Sequence, residues 1–388
     1  MTQMLDRLIH SRLARGKKSI LLLGPRQVGK STLTRQLAPY RVINLASQAL
    51  FLAYSKDAGR LERELASLPP ASLVVIDEIQ RIPALLNSVQ AVLDEGSTLR
   101  FILTGSSARS LRRRGVNLLP GRVILEHLDS LLFWEMGDSF DLHRALQVGT
   151  LPGVYLDLEH GADTLGTYAT VYLHEEIQAE AAVRNLGDYA RFLDAAAQSS
   201  GLWINYSKWA SDLEIAKETV RRYVAILHDT LLTVHVPAYR PKSSVRHVSQ
   251  RDRFLFFDVG VRNALLGLHT QPPTQTEYGG LFEQWFILQC IGYIRAHRKP
   301  WRWYAYRTDT GAEVDLILDI GTRLIAIEIK WGESVSARAC LGLKSFMRVA
   351  DKPVQAFIVG RWPHRQCFDE AIAAVPYQEF LREVLVAL

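Results

Sequence analysis

The 388 residues leave room for two or three domains, and 48% apolar with 22% charged content excludes a disordered chain. No run approaches the roughly 18 apolar residues of a membrane span, Met1 to Arg7 lacks a signal-peptide core, and three scattered cysteines (Cys290, Cys340, Cys367) suit neither a disulfide framework nor a zinc cluster. A cytoplasmic protein without a membrane partner is therefore expected, and the formal charge of +6 with a pI near 9.2 points weakly to an anionic partner.

Ser19 to Leu23 is an apolar run that reads as a buried parallel strand, and Thr32 to Ala38 as a helix. Between them Gly24-Pro25-Arg26-Gln27-Val28-Gly29-Lys30-Ser31, followed by Thr32, fits the phosphate-binding pattern G-x-x-x-x-G-K-[ST]. Gly24 and Gly29 permit close backbone approach, Lys30 is expected to neutralise the β- and γ-phosphates of ATP, and Ser31 to offer a hydroxyl to Mg2+. Leu73 to Ile76 reads as a second buried strand, ending in Asp77 for the metal and Glu78 for the attacking water. A third strand, Leu99 to Thr104, runs into Gly105-Ser106-Ser107, where Ser106, or alternatively Thr104, would sense the γ-phosphate. Arg109, Arg112, Arg113, Arg114 and Arg122 follow. Arg122, beside Pro120-Gly121, is the candidate for an arginine finger offered to a neighbouring subunit, the alternative being a solvated or DNA-facing basic loop.

In the middle of the chain, Asn205 to Leu213 reads as a short helix and turn, and Ala216 to His228 as an amphipathic helix with Val220, Val224 and Leu227 on one face. Leu231 to Pro237 follows as a strand. Helix, turn, helix and strand suggest a winged helix, with Lys217, Arg221 and Arg222 as outward candidates for DNA contact, although such modules also serve as plain packing units. Two basic clusters flank this region: Arg240, Lys242, Arg246, His247, Arg251 and Arg253, then Arg295, His297, Arg298, Lys299, Arg302 and Arg307 interleaved with Trp301, Trp303, Tyr304 and Tyr306. Basic residues among aromatics suit a nucleic-acid groove. Equally, Trp301, Trp303 and Ala305 alternate at strand period, as aromatics facing a core would.

The last third holds a second constellation. Glu283 lies in a helical stretch, Leu281 to Leu288; Asp315 in a strand, Ala312 to Leu318; Glu328 and Lys330 in a strand, Leu324 to Lys330. Two positions apart, Glu328 and Lys330 share a face, and a hairpin through Gly321 brings Asp315 beside them. Two carboxylates there could hold Mg2+ to polarise a phosphodiester while the lysine assists the nucleophile. The plain alternative is a structural Lys330–Glu328 pair.

From end to end the chain resembles the bacterial and archaeal AAA+-type ATPases whose C-terminal domain of unknown function is related to the PD-(D/E)XK nucleases. The resemblance is carried by Gly24 to Thr32, Val75-Ile76-Asp77-Glu78-Ile79-Gln80, Thr104 to Ser107, Gly121-Arg122, Phe256 to Val261, Glu313-Val314-Asp315 and Ile327 to Lys330. It implies an α/β protein: a P-loop ATPase core over 1–135, a helical lid over 136–195, a winged helix over 196–250 and a nuclease-like domain over 251–388. Asp315, Glu328 and Lys330 then match the nuclease signature and Glu283 its helical acid. The resemblance implies a homo-oligomeric ring, such as a hexamer, as well. His174, Glu175, Glu176 and Arg184 in the lid are candidates for contact with the nucleotide or the subunit interface, without a role that spacing assigns. Two functions follow as expectations: an ATP-hydrolysing ring acting on DNA, its last domain cutting or gripping it, or a nucleotide-controlled switch for another protein with a silent nuclease-like domain.

Overall fold

A computed structural model describes residues 5–57, 59–106, 119, 121–172, 186–241, 248–368 and 371–388. Ser107, Arg109, Arg112, Arg113, Arg114, His174, Glu175, Glu176, Arg184, Lys242, Arg246 and His247 lie outside the described residues. The first sheet contains β1 (Ser19–Leu23), β2 (Arg41–Asn44), β3 (Leu73–Asp77), β4 (Arg100–Gly105) and β5 (Val123–His127) in the order β2-β3-β4-β1-β5. All its pairings are parallel.

Side-chain alternation explains why these strands are apolar throughout. Leu21, Leu23, Val74, Ile76, Phe101 and Leu103 pack on one face with Tyr54, Leu61, Leu85 and Val89 from the covering helices. Ile20, Leu22, Val75 and Ile102 pack on the other with Leu33 of the helix Lys30–Gln36. Each such fully buried side chain contributes about 1.5–3 kcal/mol. The order also aligns the C-terminal ends of β1, β3 and β4, where open parallel sheets bind ligands.

The second face of this sheet shares its core with the middle of the chain: Phe192, Trp209, Val220, Tyr223, Phe254 and Phe256 belong to the same cluster. There the helices Leu186–Gln198, Tyr206–Asp212 and Lys217–Asp229 lead into β6 (Thr233–Val236), which pairs antiparallel with β7 (Arg253–Phe256). That pairing joins residues on either side of position 250. Val220, Tyr223, Ile226 and Leu227 face inward, leaving Lys217, Arg221 and Arg222 exposed.

A capping box between Thr274 and Glu277 starts the 22-residue helix Gln275–Ala296. It covers a mixed six-stranded sheet of β8 (Arg302–Arg307), β9 (Glu313–Asp319), β10 (Leu324–Ile329), β11 (Val354–Gly360), β12 (Gln366–Cys367) and β13 (Ile372–Pro376), ordered β12-β13-β11-β10-β9-β8. The β9–β10 hairpin turns at Gly321, whose φ of 95° favours glycine, and Leu316 faces Ile327 across it. Leu316, Leu318, Ile325 and Ile327 meet the long helix, while Ile317, Leu324 and Ala326 meet the helix Cys340–Met347. Among the described residues no helix is long and apolar enough to cross a membrane.

Candidate functional site

The phosphate loop leaves β1 through a narrow gap. A Cβ on Gly24 would lie 2.3 Å from the Leu128 carbonyl, so only glycine passes. Gln27 and Gly29 take left-handed φ values of 64° and 95°, and the helix begins at once with Lys30, two residues earlier than its apolar pattern suggests. Lys30 is 5% exposed, and its Nζ donates to the carbonyls of Gly24 and Pro25 at 2.7 Å each, so the loop wraps its ammonium. Val28 is buried, Arg26 half-buried, and Gln27 and Thr32 exposed.

The carboxylate at the end of β3 is held by neutral groups. Ser31 Oγ donates to Asp77 Oδ2 at 2.6 Å, Thr104 Oγ1 donates to Asp77 Oδ1, and the Glu78 N–H donates to Thr104 Oγ1 at 3.1 Å. Glu78 adopts φ 59° and ψ 45°, a left-handed turn that costs a non-glycine residue about 1–2 kcal/mol. Its carboxylate accepts from Gln80 Nε2 and, at 3.4 Å, from Ser106 Oγ; Gln80 also donates to Ser106 Oγ at 3.0 Å. Ser106 is buried, and Thr104 is the residue in contact with Asp77. The Ser31 hydroxyl and Asp77 carboxylate form an adjacent pair of hard oxygen ligands whose partners are neutral, which fits Mg2+.

Arg122 lies just before β5, at the edge of the sheet away from the loop. Its Nη2 pairs with Asp94 at 2.6 Å, both side chains being about half exposed. Arg7, by contrast, is a site residue with no sequence signal. Buried, it donates from Nη1 to the Val28 carbonyl at 2.6 Å and from Nε to Glu135 at 2.9 Å, fixing the loop to a segment 128 residues away.

The second constellation is assembled from three elements. Asp315 Oδ2 accepts the Ile329 N–H at 2.7 Å, and Lys330 Nζ donates to Glu328 Oε1 at 2.6 Å, while Glu328 Oε2 is buried without a partner. Glu283 reaches the same cluster from the long helix, where it pairs with Arg253. Arg253, a member of the first basic cluster in the sequence, is only 2% exposed. It donates from Nε to the Gly201 carbonyl at 2.8 Å, from Nη1 to the Asp315 carbonyl at 3.3 Å and from Nη2 to Glu283. The reason is register: β7 pairs its Arg253 with Val236 and so turns it into the domain junction.

Burial pushes the Asp315 carboxyl well above its ordinary range, with Glu283 and Glu328 adding to the shift. Burial likewise pushes Glu328 up to about 7 against the pull of Lys330. Burial lowers Arg253, but Glu283 and Asp315 outweigh it and hold the guanidinium above its usual value. Each carboxylate thus has an oxygen engaged by a donor of the chain itself, two of those donors being cations. Among the described residues no group of three His, Cys, Asp or Glu is placed to hold a metal ion. The acids expected to hold magnesium are brought together, with Arg253 and Lys330 paired to Glu283 and Glu328.

The aromatic-basic cluster also divides. Arg295 pairs with Asp129 at 2.6 Å and Arg298 with the buried Glu126, so these two cations hold the long helix to the first sheet. Trp301 is 8% exposed, and Lys299 lies over its ring. An open groove of about 360 Å3 remains beside them, lined by His228, His235, Arg295, Arg302 and Trp303 among others.

Comparison with known proteins matches the AAA domain family over residues 16–137, and two domains of unknown function, DUF8612 and DUF4143, over 139–272 and 278–380. With the loop geometry above, this establishes an AAA-type P-loop ATPase domain in the first third, with ATP as the implied nucleotide and Mg2+ its usual companion. The uncharacterized proteins Rv2008c of Mycobacterium tuberculosis and Mb2031c of Mycobacterium bovis are each 28% identical over 373 residues, 93% of this chain and 80% of theirs. Among solved structures, a signal transduction ATPase with numerous domains (STAND) from Pyrococcus horikoshii, PH0952, which carries a tetratricopeptide repeat sensor, aligns with a TM-score of 0.24 at 14% identity. The alignment spans 76% of this chain and 47% of that one. Protein VC1899 of Vibrio cholerae aligns with a TM-score of 0.23 at 10% identity, over 95% of this chain and 96% of its own.

Proposed function

We propose that the protein hydrolyses ATP and uses the cycle to act on DNA as a cytoplasmic homo-oligomeric ring of the hexameric kind. The observation that carries the hydrolytic part is Glu78, turned out of β3 in a left-handed conformation and tied to Ser106 through Gln80. In this reading Glu78 orients the attacking water and accepts its proton, Lys30 neutralises the transferred phosphoryl oxygens, and Ser106 or Thr104 reports its departure. Ser31 and Asp77 would hold Mg2+, which supplies charge neutralisation across the β- and γ-phosphates. Arg122, away from its own loop, would exchange Asp94 for the phosphate of the next subunit.

The DNA part is supported by the exposed Lys217, Arg221 and Arg222 on one helix of a winged-helix-like unit, and by the groove lined by Arg302 and Trp303. Arg221 is already paired with Glu218 at 2.6 Å, an exposed contact that a phosphate can displace. A second reading, a nucleotide-controlled switch for a protein partner with a silent last domain, is favoured by Arg253 among the carboxylates. The test is ATP turnover without DNA and with duplex, single-stranded and four-way junction DNA, with cleavage followed in the same samples. Salt-sensitive stimulation by one form is the result expected. Hydrolysis indifferent to every DNA would overturn the DNA reading in favour of the switch.

A further inference from the structure

We propose that Arg253 is the resident cation of the C-terminal carboxylate cluster, seated where a divalent metal would otherwise bind, so that a divalent cation and the seated arginine exclude each other. The inference rests on the nuclease-like reading of Glu283, Asp315, Glu328 and Lys330, and is independent of the ATP site.

Three features of the seat argue for occupancy rather than chance contact. First, the guanidinium has a partner on each nitrogen: the Gly201 carbonyl, the Asp315 carbonyl and the Glu283 carboxylate. A buried arginine is tolerated only when its donors are satisfied in this way. Second, the strap bringing it in is fastened on both sides. Trp203 lies over the guanidinium at 5.6 Å and donates to Glu313 at 2.7 Å, while Ser200 Oγ donates to Gln284 Oε1 at 2.6 Å beside Glu283. Third, two of the three carboxylates, Glu283 and Glu328, already carry a cation of the chain, Arg253 and Lys330, and Asp315 and Glu328 are both buried. A metal entering this set would meet a guanidinium on Glu283 and an ammonium on Glu328, and like charge would oppose it. The Glu283 oxygen that Arg253 engages is the coordinating capacity that would be released if the arginine left. Phosphodiester cleavage that depends on a metal here is accordingly closed while Arg253 is seated.

The experiment is Mn2+ binding to nucleotide-free full-length protein, with Asp77→Asn as background to remove the ATP-site metal ligand. Paramagnetic resonance counts bound Mn2+ with and without Asp315→Asn. The expected result is no difference up to millimolar Mn2+; an equivalent bound in the background and lost with Asp315→Asn overturns the proposal. In the second arm Arg253→Met, once shown to melt cooperatively, is expected to gain one Mn2+ per chain, at least tenfold tighter than the background, and to lose it with Asp315→Asn. A folded Arg253→Met that gains no Mn2+ overturns the claim that arginine occupies a metal position. Should that variant not fold, the first arm still decides. Neither result bears on ATP turnover, so the two readings fail separately.

Discussion

Asp77 at the end of β3 and the Asp315–Glu328 pair on the β9–β10 hairpin are both buried acids, yet they keep different company. Asp77 accepts from two hydroxyls, Ser31 and Thr104, which are neutral and easily reoriented toward an arriving cation. In the C-terminal cluster the partners include Lys330 and Arg253, which already carry the positive charge. Burial is similar, with Asp77 6% and Glu328 9% exposed, so burial does not separate the two sites; the charge of the partners does. An acid waiting for a metal is held by dipoles, whereas an acid already neutralised is held by ions.

The contrast can be broken by substitution. Lys30→Ala should have the largest effect, lowering phosphate release by about a thousandfold or more, because the loop loses the charge around which it folds. An unchanged rate would remove the ATPase reading of the first site. Glu78→Gln should reduce turnover by about a hundredfold with ATP affinity kept, since the water loses its acceptor while the phosphate contacts remain. Equal loss of nucleotide binding, measured by titration with a fluorescent ATP analogue, would make Glu78 structural.

The smallest effect sharpens the other side. Glu328 titrates near 7 in the folded protein against an ordinary value of 4.5. Between those pH values the folded state keeps a proton that the unfolded chain has released. The contribution of Glu328 is therefore complete below about pH 4.5 and is lost as pH rises to about 7. Relative to Glu328→Gln, the thermal midpoint of the unmodified protein should fall over that window by on the order of 3 °C and level off above it. Parallel pH profiles would mean that Lys330 keeps Glu328 ionised throughout.

What could be read from sequence was what is contiguous. Gly24 to Thr32 and Val75 to Glu78 carry their chemistry within a few residues, and the unbroken apolar run Ile20 to Leu23 already points to a strand covered on both faces. The hairpin through Gly321 was legible for the same reason. Arg7 was not, because its partners, Val28 and Glu135, are brought to it by the packing of a later segment. Arg253, Arg295 and Arg298 read as members of basic clusters suited to a nucleic-acid groove, since a window of sequence counts cations but not the acids that folding delivers to them: Glu283, Asp129 and Glu126. Arg122 joins a different class, for its neighbour Asp94 belongs to a helix whose position depends on the whole sheet.

The side chain of Glu126, only 1% exposed, is shared between Arg12 near the start of the chain and Arg298 near the end of the long helix, and Arg12 also donates to the Ala296 carbonyl at 2.6 Å. Residue 126 falls in the first of the three stretches that separate families match, and residue 298 in the third. A lineage that recombined the last third with an unrelated partner would leave this buried carboxylate with Arg12 alone, losing one of its two cations. That one side chain ties the first matched stretch to the third across the whole of the second.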